Sequence, residues 1–148
     1  MPVESVLHLT LVDAADALRR GEMTAVALTQ ASLDAFATSD ACVNSLIRLD
    51  ADAALEAADT LDRARRAGRP PGPLHGVPLA HKDMFYRAGT PCSGGSRIRA
   101  GFVPTSTSTA LERLEVAGSV TVGALNMAEF AQNPTGHNAH FGDCRNPW

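Results

Sequence analysis

Arg69-Pro70-Pro71-Gly72-Pro73 is the stretch that most limits how this chain can fold. A proline inside a helix removes a backbone donor and clashes with the preceding turn, so this run cannot continue one. One element therefore ends before it and a different one begins after it. Residues 1–70 read as mainly helical and residues 71–148 as mixed strands, loops and helices, together the size of one ordinary domain.

Ahead of the break, Asp13 to Arg20 reads as a short helix closed by Gly21, and Thr24 caps a second that runs to about Phe36. Asp50 or Asp52 opens a third helix ending at Gly68, while Val43 to Leu49 reads as a strand. The third helix places Leu55, Ala58 and Leu61 on one face and Asp59, Asp62, Arg63 and Arg66 mostly on others, the pattern of an amphipathic surface helix. Beyond the break, Val77 to Lys82 reads as a buried strand. The Gly-, Ser-, Thr- and Pro-rich stretch from Gly89 to Thr109 suits a long functional loop in which Ile98, Phe102 and Val103 seek burial. Thr109-Ala110-Leu111-Glu112 has the form of a capping box opening a helix that Gly118 closes. Ser119 to Gly123 follows as a strand, and Asn126 caps a short turn through Phe130. Helix, glycine, strand and cap in that order is an α/β alternation.

Lysine occurs once in the chain, at Lys82, against twelve arginines. It lies in the apolar stretch from Pro73 to Phe85, where burial should draw its pKa from about 10.4 towards neutrality. Arginine stays protonated and cannot serve as a base, so lysine at this position reads as a titratable amine, with a Schiff-base role also chemically open. Asp83 points to the opposite face of the strand and reads as a structural hydrogen-bond acceptor.

A net charge of −3, one tryptophan and one tyrosine, with no basic run, leave no direct nucleic-acid partner. Met1-Pro2-Val3-Glu4 carries an acid where a signal peptide carries positive charge, and no long apolar segment follows, so the expectation is a cytoplasmic protein without a membrane partner. Cys42, Cys92 and Cys144 lack any C-x-x-C spacing and read as reduced thiols. His137, His140, Asp143 and Cys144 are metal-ligand types, yet Gly136 and Gly142 break the segment and no helical i, i+4 pair occurs; the reading is loop histidines, with no metal and no cofactor.

Gly72-Pro73-Leu74-His75-Gly76-Val77-Pro78 followed by Lys82-Asp83 resembles the lysine-bearing strand of the amidase signature family. Gly89 to Ser96 is similar to that family's glycine- and serine-bearing loop, and Leu114 to Asn126 to its helix, strand and "G-K-x-N" turn, with Ala124 in place of the usual lysine. Glu129-Phe130-Ala131, Asn138, Gly142 and Arg145-Asn146-Pro147-Trp148 are similar to the segment before its nucleophile loop, and His81 departs from an aliphatic position. The resemblance implies an α/β fold, the N-terminal part of the amidase signature fold, with helices packed on a mixed β-sheet that is incomplete in this chain. It further implies a serine hydrolase of carboxamides using a Ser, cis-Ser, Lys triad, with Lys82 as base and Phe130, Ala131 and Gln132 as substrate-pocket lining. In the family both serines lie downstream of the Asn-Pro-Trp, and the Ser93-Gly94-Gly95-Ser96 cluster does not match the nucleophile's position. The expectation is therefore an N-terminal portion, inactive alone, whose partners are a small-molecule amide and the missing C-terminal portion of its own domain. The alternatives are a portion of a glutamyl-tRNA amidotransferase A subunit, or a non-catalytic remnant or interaction module.

Overall fold

The computed structural model describes residues 8–148, so the opening Met1-Pro2-Val3-Glu4 lies outside the described residues. The elements in chain order are α1 (Leu11–Arg20), α2 (Ala25–Val43), β1 (Leu46–Leu49), α3 (Ala51–Arg66), β2 (Pro78–Lys82), α4 (Thr109–Val116) and β3 (Val120–Leu125), with short 3-10 turns at Arg97–Arg99 and Glu129–Ala131. The strands form a sheet ordered β1-β3-β2. β1 pairs antiparallel with β3, matching Leu46 to Leu125 and Leu49 to Gly123, with a bulge between Leu46 and Arg48. The bonds Val120 N–H to Val77 O and Asp83 N–H to Leu125 O advance in the same direction along β2 and β3, so that pair is parallel and the sheet is mixed.

The described chain divides into two compact units. The first comprises the described residues up to Ala37, Asp50–Leu79 and Arg113–Val122; the second comprises Thr38–Leu49, Ala80–Glu112 and Gly123–Trp148.

In the first unit, α1 starts two residues before the expected position because Thr10 accepts the Asp13 amide and caps it, and Gly21 closes it. The N-terminus of α2 is satisfied from two sides. Thr24 Oγ1 accepts from the Ala27 amide at 3.1 Å, and the Asp62 carboxylate of α3 accepts from Ala25 at 2.9 Å and Val26 at 3.1 Å. This reverses the expectation that Asp62 lies on an outer face. The buried stripe of α3 is Ala54, Ala58 and Asp62, one residue every four, and Asp62 is 2% exposed. An apolar pattern on Leu55 and Leu61 was the wrong guide here, because the small alanines allow α3 close in and the carboxylate then meets two orphan helix donors with opposite partial charge.

Beyond Phe36, α2 continues to Val43, since no residue between Ala37 and Cys42 breaks a helix, and it ends where Asn44 adopts a φ of 51°. In the second unit the Asp40 side chain catches the Ser45 amide and hydroxyl and the Leu46 amide, which turns the chain into β1. Thr109 is the first residue of α4 rather than its cap, so Ser108 occupies the boundary. Ile98, Phe102 and Val103 are exposed, together with Met84, Phe85 and Tyr86, which corrects the expectation that they find burial. What covers Phe102 instead is Arg99, whose guanidinium carbon lies 4.1 Å from the ring centroid and which also donates to the Tyr86 hydroxyl. Among the described residues, no helix is long and apolar enough to cross a membrane.

Removing the Asp62 carboxylate leaves two helix donors without partners in a buried place. Asp62→Ala is expected to lower unfolding free energy by about 2 kcal/mol in urea titration; a loss below about 0.5 kcal/mol would show that water replaces the cap. His75 gives a second expectation. Burial pushes its imidazole below the ordinary 6.5, with Asp62 opposing the shift and Arg65 reinforcing it. Just below pH 6.5 the unfolded chain therefore takes up a proton that the folded chain refuses, so stability is full above that pH and falls as the solution becomes more acidic. His75→Gln should flatten this slope between pH 6.5 and the lower folded pKa, as read by Tm against pH.

Candidate active site

β2 ends in two residues of opposite exposure. Lys82 is exposed, and Asp83 is 1% exposed, as alternation along a strand requires. The expected burial of Lys82 is not found: the side chain is exposed, and its ammonium has no hydrogen-bond or ion-pair partner among the described residues. The other residues of β2, Pro78 to His81, are half-buried, which corrects the expectation of a buried strand over Val77 to Lys82; Val77 alone of that stretch is buried.

Asp83 carries the local structure. Its carboxylate accepts from the Ser93 hydroxyl at 2.5 Å, the Ser93 amide at 3.0 Å and, at the limit of contact, the Gly95 amide at 3.5 Å. Its main chain is held as well: the amide donates to Leu125 of β3, and the carbonyl accepts from Gly94 N–H at 3.0 Å and the Cys92 thiol at 3.3 Å. The loop from Cys92 to Gly95 thus wraps one aspartate from three directions. Gly94 and Gly95 both have positive φ, and a Cβ on Gly95 would come within 2.8 Å of the Met127 carbonyl, so only glycine serves there. Burial pushes the Cys92 thiol above its ordinary range, which makes it a packed donor instead of a nucleophile.

Ser93 and Ser96 are both committed to internal bonds. Ser96 is fully buried; its hydroxyl donates to Glu129 at 2.6 Å and accepts from the Ile98 amide at 3.3 Å. Glu129 also meets His140 Nε2 at 3.0 Å. The Ser96 bond first and His140 second hold the Glu129 carboxyl below the ordinary carboxylate range. His137 pairs separately with Asp143 at 2.9 Å, so the two histidines answer to different acids, and no cluster of three potential metal ligands occurs among the described residues.

Two asparagines join these loops. Asn138 donates to Gly95 O at 2.8 Å and Met127 O at 2.7 Å and accepts from the His140 and Phe141 amides, so every hydrogen-bonding position of its amide is used. Asn126 accepts from the adjacent Met127 amide and donates to the Asn44 and Gly142 carbonyls; the cap position of the Glu129–Ala131 turn is Ala128, with no side-chain cap bond, which corrects the expected Asn126 cap. Phe130, Ala131 and Gln132 are exposed. Phe130 N–H donates to Gly94 O at 2.8 Å, and both Phe130 and Ala131 hold positive φ, of 51° and 58°. Bonds through the Cys92–Ser96 loop therefore connect the residue after Lys82 to the segment expected to line a pocket. The Glu129–His140 contact and the saturated Asn138 had no sequence signal, because both depend on where a loop returns.

The family model described as Amidase matches residues 27–148. The A subunit of the glutamyl-tRNA(Gln) amidotransferase of Chloroflexus aurantiacus is 43% identical over 141 residues, covering 95% of this chain and 29% of that protein. The native peptide amidase of Stenotrophomonas maltophilia superposes with a TM-score of 0.86 at 36% identity, covering 95% of this chain and 30% of that one. A fatty acid amide hydrolase superposes with a TM-score of 0.93 at 22% identity, covering 99% of this chain and 26% of that one, and shares the fold. The chain thus spans less than a third of the length of the relatives it matches.

Replacing Asp83 by alanine strands the buried Ser93 amide and hydroxyl, while the Gly95 amide keeps Ser93 Oγ at 3.1 Å, so Asp83→Ala is expected to cost about 3 kcal/mol in denaturant unfolding. Asp83→Asn, which keeps one acceptor oxygen, should cost roughly half as much; equal losses for the two would mean that a neutral acceptor contributes nothing and that the charge is essential. With a family model matched over most of its length and a peptide amidase superposing on nearly all of it, the chain belongs to the amidase signature family.

Proposed function

We propose that this chain is the amino-terminal portion of a single amidase domain that hydrolyses a carboxamide to an acid and ammonia or an amine, with Lys82 as the proton acceptor of a Ser, cis-Ser, Lys mechanism. The observation that carries the reading is the pairing at the end of β2: the one lysine of the sequence stands exposed beside Asp83, whose buried carboxylate fixes the backbone from which it extends. A base must be held where the proton is, and an anchor on the adjacent residue is how a strand terminus becomes rigid. The Lys82 side chain is exposed in this chain, and the remainder of the domain is what would cover it. The neutral amine then takes a proton relayed from the nucleophilic serine, and backbone N–H groups stabilise the tetrahedral oxyanion. Phe130, Ala131 and Gln132 belong to the substrate side of this site, a role supported by their exposure and by their backbone link to the Cys92–Ser96 loop. The free state of Cys42, Cys92 and Cys144 supports a reducing, cytoplasmic setting.

A second reading, a portion of a glutamyl-tRNA amidotransferase A subunit, is favoured by the 43% identity to such a subunit. A requirement for companion subunits separates the two.

The test joins this chain in frame to the complementary downstream portion of the Stenotrophomonas maltophilia peptide amidase and follows ammonia release from peptide amides. The 148-residue chain alone is expected to release none, and the fusion to turn over. Lys82→Ala in the fusion should lower kcat by about 10²- to 10⁴-fold without loss of folding. Turnover by the isolated chain that Lys82→Ala abolishes would sink the portion reading, and a fusion indifferent to Lys82→Ala would sink the assignment of the base.

A further inference from the structure

Phe130 and Ala131 are consecutive non-glycine residues at φ of 51° and 58°. Left-handed backbone at a residue with a Cβ costs on the order of 1–2 kcal/mol, and it persists only where surrounding bonds over-determine it. Two main-chain bonds fix the corner from within, Ala131 N–H to Ala128 O at 2.8 Å and Gln132 N–H to Glu129 O at 3.2 Å, and a third, Phe130 N–H to Gly94 O at 2.8 Å, ties it to the neighbouring loop. The residue just ahead of the corner, Glu129, is held by two side chains that arrive from different loops: Ser96 Oγ at 2.6 Å and His140 Nε2 at 3.0 Å, both on the same carboxylate oxygen. Ser96 is fully buried, and His140 is fixed through its amide by the saturated Asn138. Two residues of one glycine loop, Gly94 and Ser96, thus grip two adjacent residues of the other, Phe130 and Glu129. A Cβ on Gly94 would lie 3.5 Å from the Phe130 ring, so the ring sits directly over that glycine.

We propose that Glu129 is a positioning residue: clamped between Ser96 and His140, its carboxylate imposes the left-handed Phe130–Ala131 corner that presents the pocket-lining side chains. Its structural half stands on the geometry above, and its substrate half rests on the amidase reading of Phe130–Gln132. Glu129 touches no reacting atom; it acts through the backbone of the residues that follow it. His140 is the titratable group facing it, while His137 and Asp143 pair with each other.

Amide hydrogen exchange in the 148-residue chain, read residue by residue by NMR, tests this without any turnover. Val120 N–H, bonded to Val77 O in the first unit, is the internal reference. Glu129→Ala is expected to speed exchange at Phe130 and Gln132 at least about tenfold relative to Val120. Glu129→Gln, which offers an oxygen to Ser96, is expected to fall between wild type and Ala. Because the Glu129 carboxyl is held below the ordinary carboxylate range, wild-type protection at Phe130 should be full above that range and decline as pH falls through the lowered value. The Gln variant should show no such decline. Phe130 exchange within about twofold of wild type in Glu129→Ala would overturn the proposal. If that variant unfolds and Val120 is lost with it, the Gln variant decides: a decline with falling pH matching wild type would overturn it equally. A Glu129-dependent corner in a protein whose fusion lacks amidase turnover would sink the amidase reading and leave the positioning role in place.

Discussion

A carboxylate removed from water must be surrounded by donors, and that requirement organises the second unit. Asp83 is buried at the end of β2, and a lone charge there would be prohibitive. It gathers the Ser93 amide and hydroxyl with the Gly95 amide on its side chain, and the Gly94 amide and Cys92 thiol on its carbonyl. The glycines are a consequence, since donors can converge on one carboxylate only if the backbone turns through conformations that side chains resist. Once the loop is wound on Asp83, its outward groups, Gly94 O and Ser96 Oγ, stand where Phe130 and Glu129 meet them. Lys82 inherits its position from the same anchor, one residue away.

The first unit repeats this logic with a different aspartate. Asp62 is buried because it answers helix donors, and α3 approaches α2 closely because Ala54 and Ala58 present no bulk. Each unit therefore has a buried acid that accepts from main-chain amides, joined in Asp83 by the Ser93 hydroxyl. Such bonds join distant parts of the sequence, 37 residues apart for Ala25 and Asp62, without requiring a large apolar core.

Much of this architecture was legible in the residues. The proline run at 70–73, Gly21 after α1 and Gly118 after α4 mark real boundaries, because the constraint behind each is local and steric. Asp83 was legible as a structural acceptor from strand alternation, whereas Asn126 serves as a tie between carbonyls and not as the turn's cap. What misled were arguments from polarity alone. An apolar flank predicts a buried Lys82, but β2 is only half-buried and its last side chain is exposed. Ile98 and Val103 are simply exposed; Asp62 reads as surface and Phe102 as core, and the outcome depends on remote helix donors for the first and on Arg99 stacking over the ring for the second. The junction of Ser96, Glu129 and His140 belongs to the same class, joining residues 33 and 11 positions apart through loops whose meeting no periodicity announces.

Asn138 has a consequence for how this sequence can drift. Its amide gives two hydrogens to the Gly95 and Met127 carbonyls and takes two from main-chain amides. Aspartate has almost the same shape and is one nucleotide away in the genetic code, yet it would set a second oxygen against two carbonyl oxygens in a place without water. The cheapest step open to mutation at this codon is thereby the one the surroundings refuse.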